Sequence, residues 1–140
     1  MRSLFLAIAA VAMATAPLAP SRAEGYAAAQ LLSTTTTIIG EPIVYPTTGP
    51  ARVTAAIVTV APGDSTIPHH HGAPLFAYIL EGEVTVDYGP PHGVRTLKKG
   101  DSMVEALASS HRGRNLGQIP VAILAVYMGA DGTRNVIADK

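Results

Sequence analysis

The sequence contains no cysteine. This excludes a disulfide framework, a thiol nucleophile, thiolate metal ligands and the lipidated cysteine of a lipoprotein anchor. Neither sign of charge is in surplus, with ten basic residues against ten acidic ones in 140. Such a balance gives no electrostatic reason to expect nucleic acid or an anionic membrane as a partner. A long hydrophobic run is also missing: the apolar stretch Leu4 to Val11 is too short to span a bilayer. Helical periodicity does not persist, because 11 prolines and 13 glycines are spread along the chain, and no internal repeat is present. Stability must therefore come from a sheet core, helped by metal or subunit contacts.

Residues 1–23 read as a secretory signal peptide. Arg2 supplies the positive start, Leu4 to Val11 the short apolar core, and Ser21-Arg22-Ala23 a small-x-small cleavage site before Glu24. This predicts an exported protein, periplasmic or secreted, with no membrane anchor after cleavage. The remaining 117 residues suit one domain, and the loss of Arg2 and Arg22 leaves eight basic side chains against ten acidic ones. Residues 24–51 read as an N-terminal arm and edge strand. Gly25 to Leu32 is alanine-rich and predicts a turn or two of helix, and the β-branched run Ser33 to Ile39 predicts a strand. Glu41-Pro42 and Tyr45-Pro46 then interrupt regular structure.

Residues 52–140 read as one all-β domain, short strands divided by Gly or Pro turns. Strands are predicted near 52–61, 67–72, 75–80, 83–88, 94–97, 102–106, 110–115 and 119–128, with one more at 134–137. Val121 to Met128 is apolar on both faces and is expected at the centre of a sheet.

The stretch Gly63 to Gly82 holds three consecutive histidines between two turns. In an extended strand His69 and His71 share one face and His70 takes the other, so the outer two form a chelating pair. A third nitrogen donor is available at His111. His70 has the wrong parity and His92 lies in a Pro-Gly turn, so neither is assigned a role. Glu105, in the strand entering the His111 segment, has two candidate roles: orienting a ligand histidine through its other ring nitrogen, or accepting a proton from substrate. Arg112 and Arg114 have parity opposite to His111 and are expected to face away from it.

These segments resemble the two motifs of the cupin superfamily. Gly63, His69, His71 and Gly82 fall on the spacing of the first motif, G-x5-H-x-H-x3-4-E-x6-G. Gly100, His111 and Asn115 fall on the second, G-x5-P-x-G-x2-H-x3-N. Two departures stand out. The glutamate ligand of the first motif would be residue 75, which here is Leu75. The proline and glycine of the second are replaced by Ala106 and Ala108, which predicts a less rigid approach to His111.

The resemblance implies a cupin jelly-roll barrel with a short N-terminal arm that pairs with a neighbouring subunit, hence a homodimer. It implies a divalent metal held by His69, His71 and His111, with Leu75 lining the pocket in place of the acidic ligand. Three neutral imidazoles leave the full metal charge uncompensated, which favours small chelating or anionic ligands. Imidazole suits several metals alike. Fe(II) is favoured because three-histidine cupins include dioxygenases, while Zn, Ni, Cu or Mn are alternatives. Other readings are a non-catalytic metal or small-ligand binding protein of the cell envelope, and a metal-dependent isomerase or decarboxylase on the same barrel.

Overall fold

The computed structural model describes residues 22–23 and 25–140, and it contains strands, turns and irregular segments but no helix among them. The expected signal peptide, residues 1–23, lies outside the described residues except for Arg22 and Ala23. The chain divides into two units, Met1–Gln30 and Leu31–Lys140. In the first, β1 (Arg22–Ala23) pairs antiparallel with β2 (Tyr26–Ala27). The helical turns expected over Gly25 to Leu32 are not formed, since β2 occupies their start and the rest is irregular, and exposed apart from the half-buried Leu32. A short segment with no packed face does not offset the cost of nucleating a helix.

The second unit opens with a correction of the same kind. Ser33 to Ile39, expected as an edge strand, makes a single bridge, Thr36 opposite Pro42. The chain doubles back there: Thr37 N–H donates to Glu41 O at 2.8 Å and Ile43 N–H to Thr35 O at 3.0 Å. Pro42 has no N–H to lengthen the ladder. Ile38 N–H donates to Val104 O at 2.8 Å, and Ile38 and Ile39 pack on the main core.

The barrel follows as β3 (Ala51–Val60), β4 (His69–His70), β5 (Leu75–Glu81), β6 (Glu83–Asp87), β7 (Val94–Lys98), β8 (Ser102–Val104), β9 (Arg112–Arg114), β10 (Val121–Ala130) and β11 (Ile137–Ala138). Each overlaps a predicted strand, with β4 trimmed to two residues. One sheet has the order β3-β10-β5-β8, antiparallel throughout, and β10 is internal as its two-sided apolar sequence requires. The other runs β7-β6-β9 and continues through the bridges Ser65 to Arg114 and His69 to His111 into β4, which β11 flanks. Together they make the two-layered jelly roll expected of an all-β chain.

Alternation builds the core. Along β5, Leu75, Ala77 and Ile79 are buried while Phe76 and Tyr78 on the opposite face are only half-buried. Ala77, Ile79, Met103 and Val121 of the first sheet meet Val84, Val86 and Leu97 of the second. Each large apolar side chain buried this way contributes about 1.5–3 kcal/mol. Asn115 is almost fully buried and cross-braces the end of the barrel: its Nδ2 donates to Val60 O at 2.9 Å and Ile119 O at 2.8 Å. Gly82 of the first motif is required twice over. Its φ is +74°, and a Cβ there would stand 2.8 Å from Pro120 O.

Candidate metal centre

His69 and His111 face each other as a hydrogen-bonded antiparallel pair, with N–H to O distances of 3.1 and 2.9 Å in the two directions. Residues directly opposite in such a pair project to the same face. His71, two residues beyond His69, joins them. The ring centroids lie 4.6, 5.0 and 5.1 Å apart, and the ligating nitrogens lie within 4.8 Å of one another. His71 and His111 are buried and His69 is half-buried.

The protonation of the three rings is set by what their Nδ1 atoms touch. His69 Nδ1 lies 2.7 Å from Ile67 O, His71 Nδ1 2.8 Å from Asn135 O, and His111 Nδ1 3.0 Å from Ser109 O. A carbonyl only accepts, so each Nδ1 carries a proton, and in the neutral ring each Nε2 then presents a lone pair. Burial pushes the His71 imidazole down to about 4 and holds His69 below its ordinary value, so both are neutral at physiological pH. Neutral imidazoles with fixed Nε2 lone pairs converging on one point fit a divalent metal ion. His70, by contrast, turns away and sets its Nδ1 2.8 Å from Asp139 Oδ1, and His92 stays in the β6–β7 turn.

The cluster opens on a cavity of about 80 Å³, room for several water-sized groups. Its walls are apolar, with Val58, Leu75, Ala77, Met103 and Ile123 among them. Leu75 thus lines the site, as strand parity predicts, and Phe76 lies on the other face of β5. Three polar side chains join the histidines: Thr66, Glu105, the one carboxylate in the lining, and Tyr127, whose ring is 5.7 Å from that of His71. Burial, then the Glu105 charge, raise the Tyr127 phenol, which remains neutral.

Glu105 is 5% exposed. Its Oε1 accepts hydrogen bonds from Tyr88 OH at 2.6 Å and Ala106 N–H at 2.7 Å. Burial and the Glu105 charge drive the Tyr88 phenol far up, so it stays a donor. Glu105 Oε2 is left 3.9 Å from His111 Nε2. Of the two roles open to Glu105, orienting a histidine through Nδ1 is therefore taken by backbone carbonyls instead. What remains is a carboxylate oxygen aimed into the cavity.

The approach to His111 is not loose, contrary to the expectation from Ala106 and Ala108. Four consecutive N–H groups are held by carboxylates. Ala106 bonds to Glu105, while Leu107, Ala108 and Ser109 bond to Glu41 at 2.6, 3.1 and 3.0 Å. Glu41, Tyr88, Tyr127 and the Asn135 carbonyl were not singled out from the sequence. Tyr127 was legible by parity, since Leu75 is its register partner. The others join the site only through long-range contacts that no local spacing encodes. Arg112 and Arg114 are exposed, as expected.

The cupin domain family matches residues 56–127. No curated protein matches the chain. Among solved structures, an oxalate decarboxylase from Lactobacillus farciminis in complex with formate aligns with TM-score 0.51 and 26% identity, over 61% of this chain and 26% of that one. Oxalate decarboxylase from Bacillus subtilis at pH 4.6 aligns with TM-score 0.52 and 23% identity, over 61% of this chain and 23% of that one. Another structure of the Bacillus enzyme, which concerns its Mn(II) centres, gives TM-score 0.51 and 23% identity over the same shares. This chain therefore spans about a quarter of the length of these enzymes. The family match covers just over half of the 140 residues and takes in all three clustered histidines, His69, His71 and His111; the chain belongs to the cupin family.

Proposed function

We propose that this protein is an exported cupin that binds one divalent metal through His69, His71 and His111 and acts as an Fe(II)-dependent dioxygenase on a small chelating or anionic substrate. The observation that carries this reading is the set of three Nε2 lone pairs, fixed by backbone carbonyls, at the head of a small apolar cavity with a single carboxylate. A bound metal would supply a Lewis-acidic centre for substrate and, as Fe(II), electrons for dioxygen.

The chain's own residues do the rest. Leu75, Ala77 and Ile123 exclude water from the inner wall, which strengthens electrostatic interactions inside. With no acidic ligand at residue 75, the charge balance favours an enolate, thiolate or carboxylate as the bound group. Glu105 Oε2, its partner oxygen pinned by Tyr88 and Ala106, is placed to take a proton from such a substrate. The neutral Tyr127 hydroxyl offers a donor.

A second reading has its own support. The likeness to oxalate decarboxylases at 26% identity favours metal-dependent decarboxylation, with Mn(II) in place of Fe(II). In either reading two copies pair across the outer face of the first sheet. Val53 and Ile57 of β3 are 68% and 58% exposed there, beside Leu124, Val126 and Met128 of β10, with no charged side chain among them.

Elemental analysis of protein purified without chelators, followed by oxygen-uptake and carbon dioxide assays over diketones, thiols, aromatic acids and oxalate, tests the proposal. Near-stoichiometric iron with oxygen consumption supports the dioxygenase. Carbon dioxide release without net oxygen uptake supports the decarboxylase. Metal without turnover supports a binding protein, and absence of metal after reconstitution overturns all three.

A further inference from the structure

The carboxylate of Glu41 lies outside the predicted motifs, in the hairpin-like turn that precedes the barrel. Its two oxygens accept five hydrogen bonds from one loop and its own turn: Leu107 N–H at 2.6 Å, Ala108 N–H at 3.1 Å, Ser109 N–H at 3.0 Å, Ser109 OH at 3.0 Å and Thr37 OH at 3.2 Å. Three successive N–H groups directed at one anion form a nest. Loops that hold anions in this way normally take them from solution. Here the anion is covalently part of the arm.

The loop's carbonyls face the other way, toward the histidines. Leu107 O accepts from His71 N–H at 3.0 Å, and Ser109 O accepts from His111 Nδ1–H at 3.0 Å. Leu107 O and Ala108 N–H belong to one peptide unit, so that plane is bonded to Glu41 on one edge and to the His71 backbone on the other. The loop thus sets both the backbone of one candidate ligand and the ring of another. Ala106 and Ala108 replace the rigid proline and the glycine of the family pattern, and Glu41 is what immobilises the loop instead.

We propose that Glu41 is a positioning residue of the metal centre, holding the 107–109 loop so that its carbonyls fix His71 and His111 for ligation. This rests on the metal-binding reading above. The arm turn is then energetically coupled to the metal. By reciprocity, an ion at the histidines stabilises docking of residues 37–41 as much as docking strengthens ion binding.

The test compares Glu41→Gln with Leu97→Ala, a core truncation in β7 that lies outside the arm turn, the 107–109 loop and the cavity lining. Zn(II) affinity is measured by chelator competition at a temperature where all variants are folded, and the metal-free thermal midpoint is recorded alongside. Glu41→Gln is expected to bind Zn(II) about 10-fold more weakly or worse, the usual effect of losing an outer partner of a ligand. Leu97→Ala should lose thermal stability with affinity within about 2-fold of wild type. Ser109→Ala, which removes one of the five bonds and leaves the Ser109 carbonyl in place, should fall between them and serves if Glu41→Gln does not fold. Equal affinities for wild type, Glu41→Gln and Ser109→Ala would overturn the positioning role while leaving the metal site intact. No Zn(II) binding by wild type would overturn the metal reading itself. Metal-induced hydrogen-exchange protection at residues 37–41 is the expected reciprocal signature, and its absence counts against the coupling.

Discussion

Glu105 Oε2 and His111 Nε2 face each other across 3.9 Å, and a neutral His111 ring meets the carboxylate as a second acceptor. The His111 proton is on Nδ1, held by Ser109 O, so nothing donated by either partner relieves the contact. Two lone pairs opposed in a buried site are stabilised by a cation between or beside them, whether a metal ion or a proton.

Glu105→Gln tests this directly. The amide can donate where the carboxylate cannot, so the metal-free protein should gain up to about 1 kcal/mol of stability. The metal-bound protein should not share that gain, and turnover should fall by roughly 10²–10⁴ if Glu105 is the proton acceptor. Thermal unfolding with and without Zn(II) measures the first effect. An unchanged gap between the two midpoints would mean that Glu105 does not sense the metal.

Replacing His69, His71 or His111 with Ala should each reduce bound metal to a small fraction of wild type. His70→Ala should leave metal content intact and cost at most about 1 kcal/mol, because its partner Asp139 lies in a partly solvated pair. Elemental analysis of the four variants decides the matter, and equal losses in all four would sink the strand-parity argument.

His71 stays neutral in the folded protein down to about pH 4, whereas in the unfolded chain it takes up a proton near the ordinary imidazole value of 6.5. Between those values the unfolded state binds the extra proton, so stability of the metal-free protein falls as pH drops from about 6.5 to about 4 and then levels off. The loss assignable to this ring is on the order of 3 kcal/mol. Urea titrations near pH 7.5 and pH 4.5 read it out, and His71→Gln should lose most of that dependence. The same slope in both proteins would show that the ring is not buried neutral.

Leu75→Glu places a second carboxylate beside Glu105, whose N–H already bonds to Leu75 O at 2.9 Å. Two buried carboxylates repel, so the metal-free variant should lose several kcal/mol, and metal should restore much of it. Competition experiments should show preference moving from Cu(II) toward Mn(II) and Fe(II), which favour oxygen ligands more. No change in preference would mean that residue 75 does not reach the metal.

Ile57→Asp introduces a charge into the exposed apolar face of β3 and should convert a dimer to monomer in sedimentation equilibrium. A wild type that is already monomeric at micromolar concentration removes the pairing proposal.

The strands and the histidine cluster were readable because period-2 alternation and turn residues are local signals. Leu75, Ala77 and Ile79 declare their face within one strand, and His69 and His71 declare theirs. The arm was misread for the opposite reason. Ser33 to Ile39 has strand-forming side chains, yet Gly40 and Pro42 turn it back on itself, and Glu41 finds its partners 66 to 68 residues downstream. Glu41 looked like half of a strand-breaking Glu-Pro pair. The orienting role considered for Glu105 failed similarly, since backbone carbonyls that outcompete a side chain for Nδ1 leave no trace in residue type.

The carbonyl that aims His71 belongs to Asn135, 64 residues farther along the chain. Synthesis proceeds from the N-terminus at roughly 5–20 residues per second, so all three histidines emerge before the group that orients one of them. A half-made chain offers imidazoles but no fixed cage. The cage is complete only once the segment leading into β11 has docked.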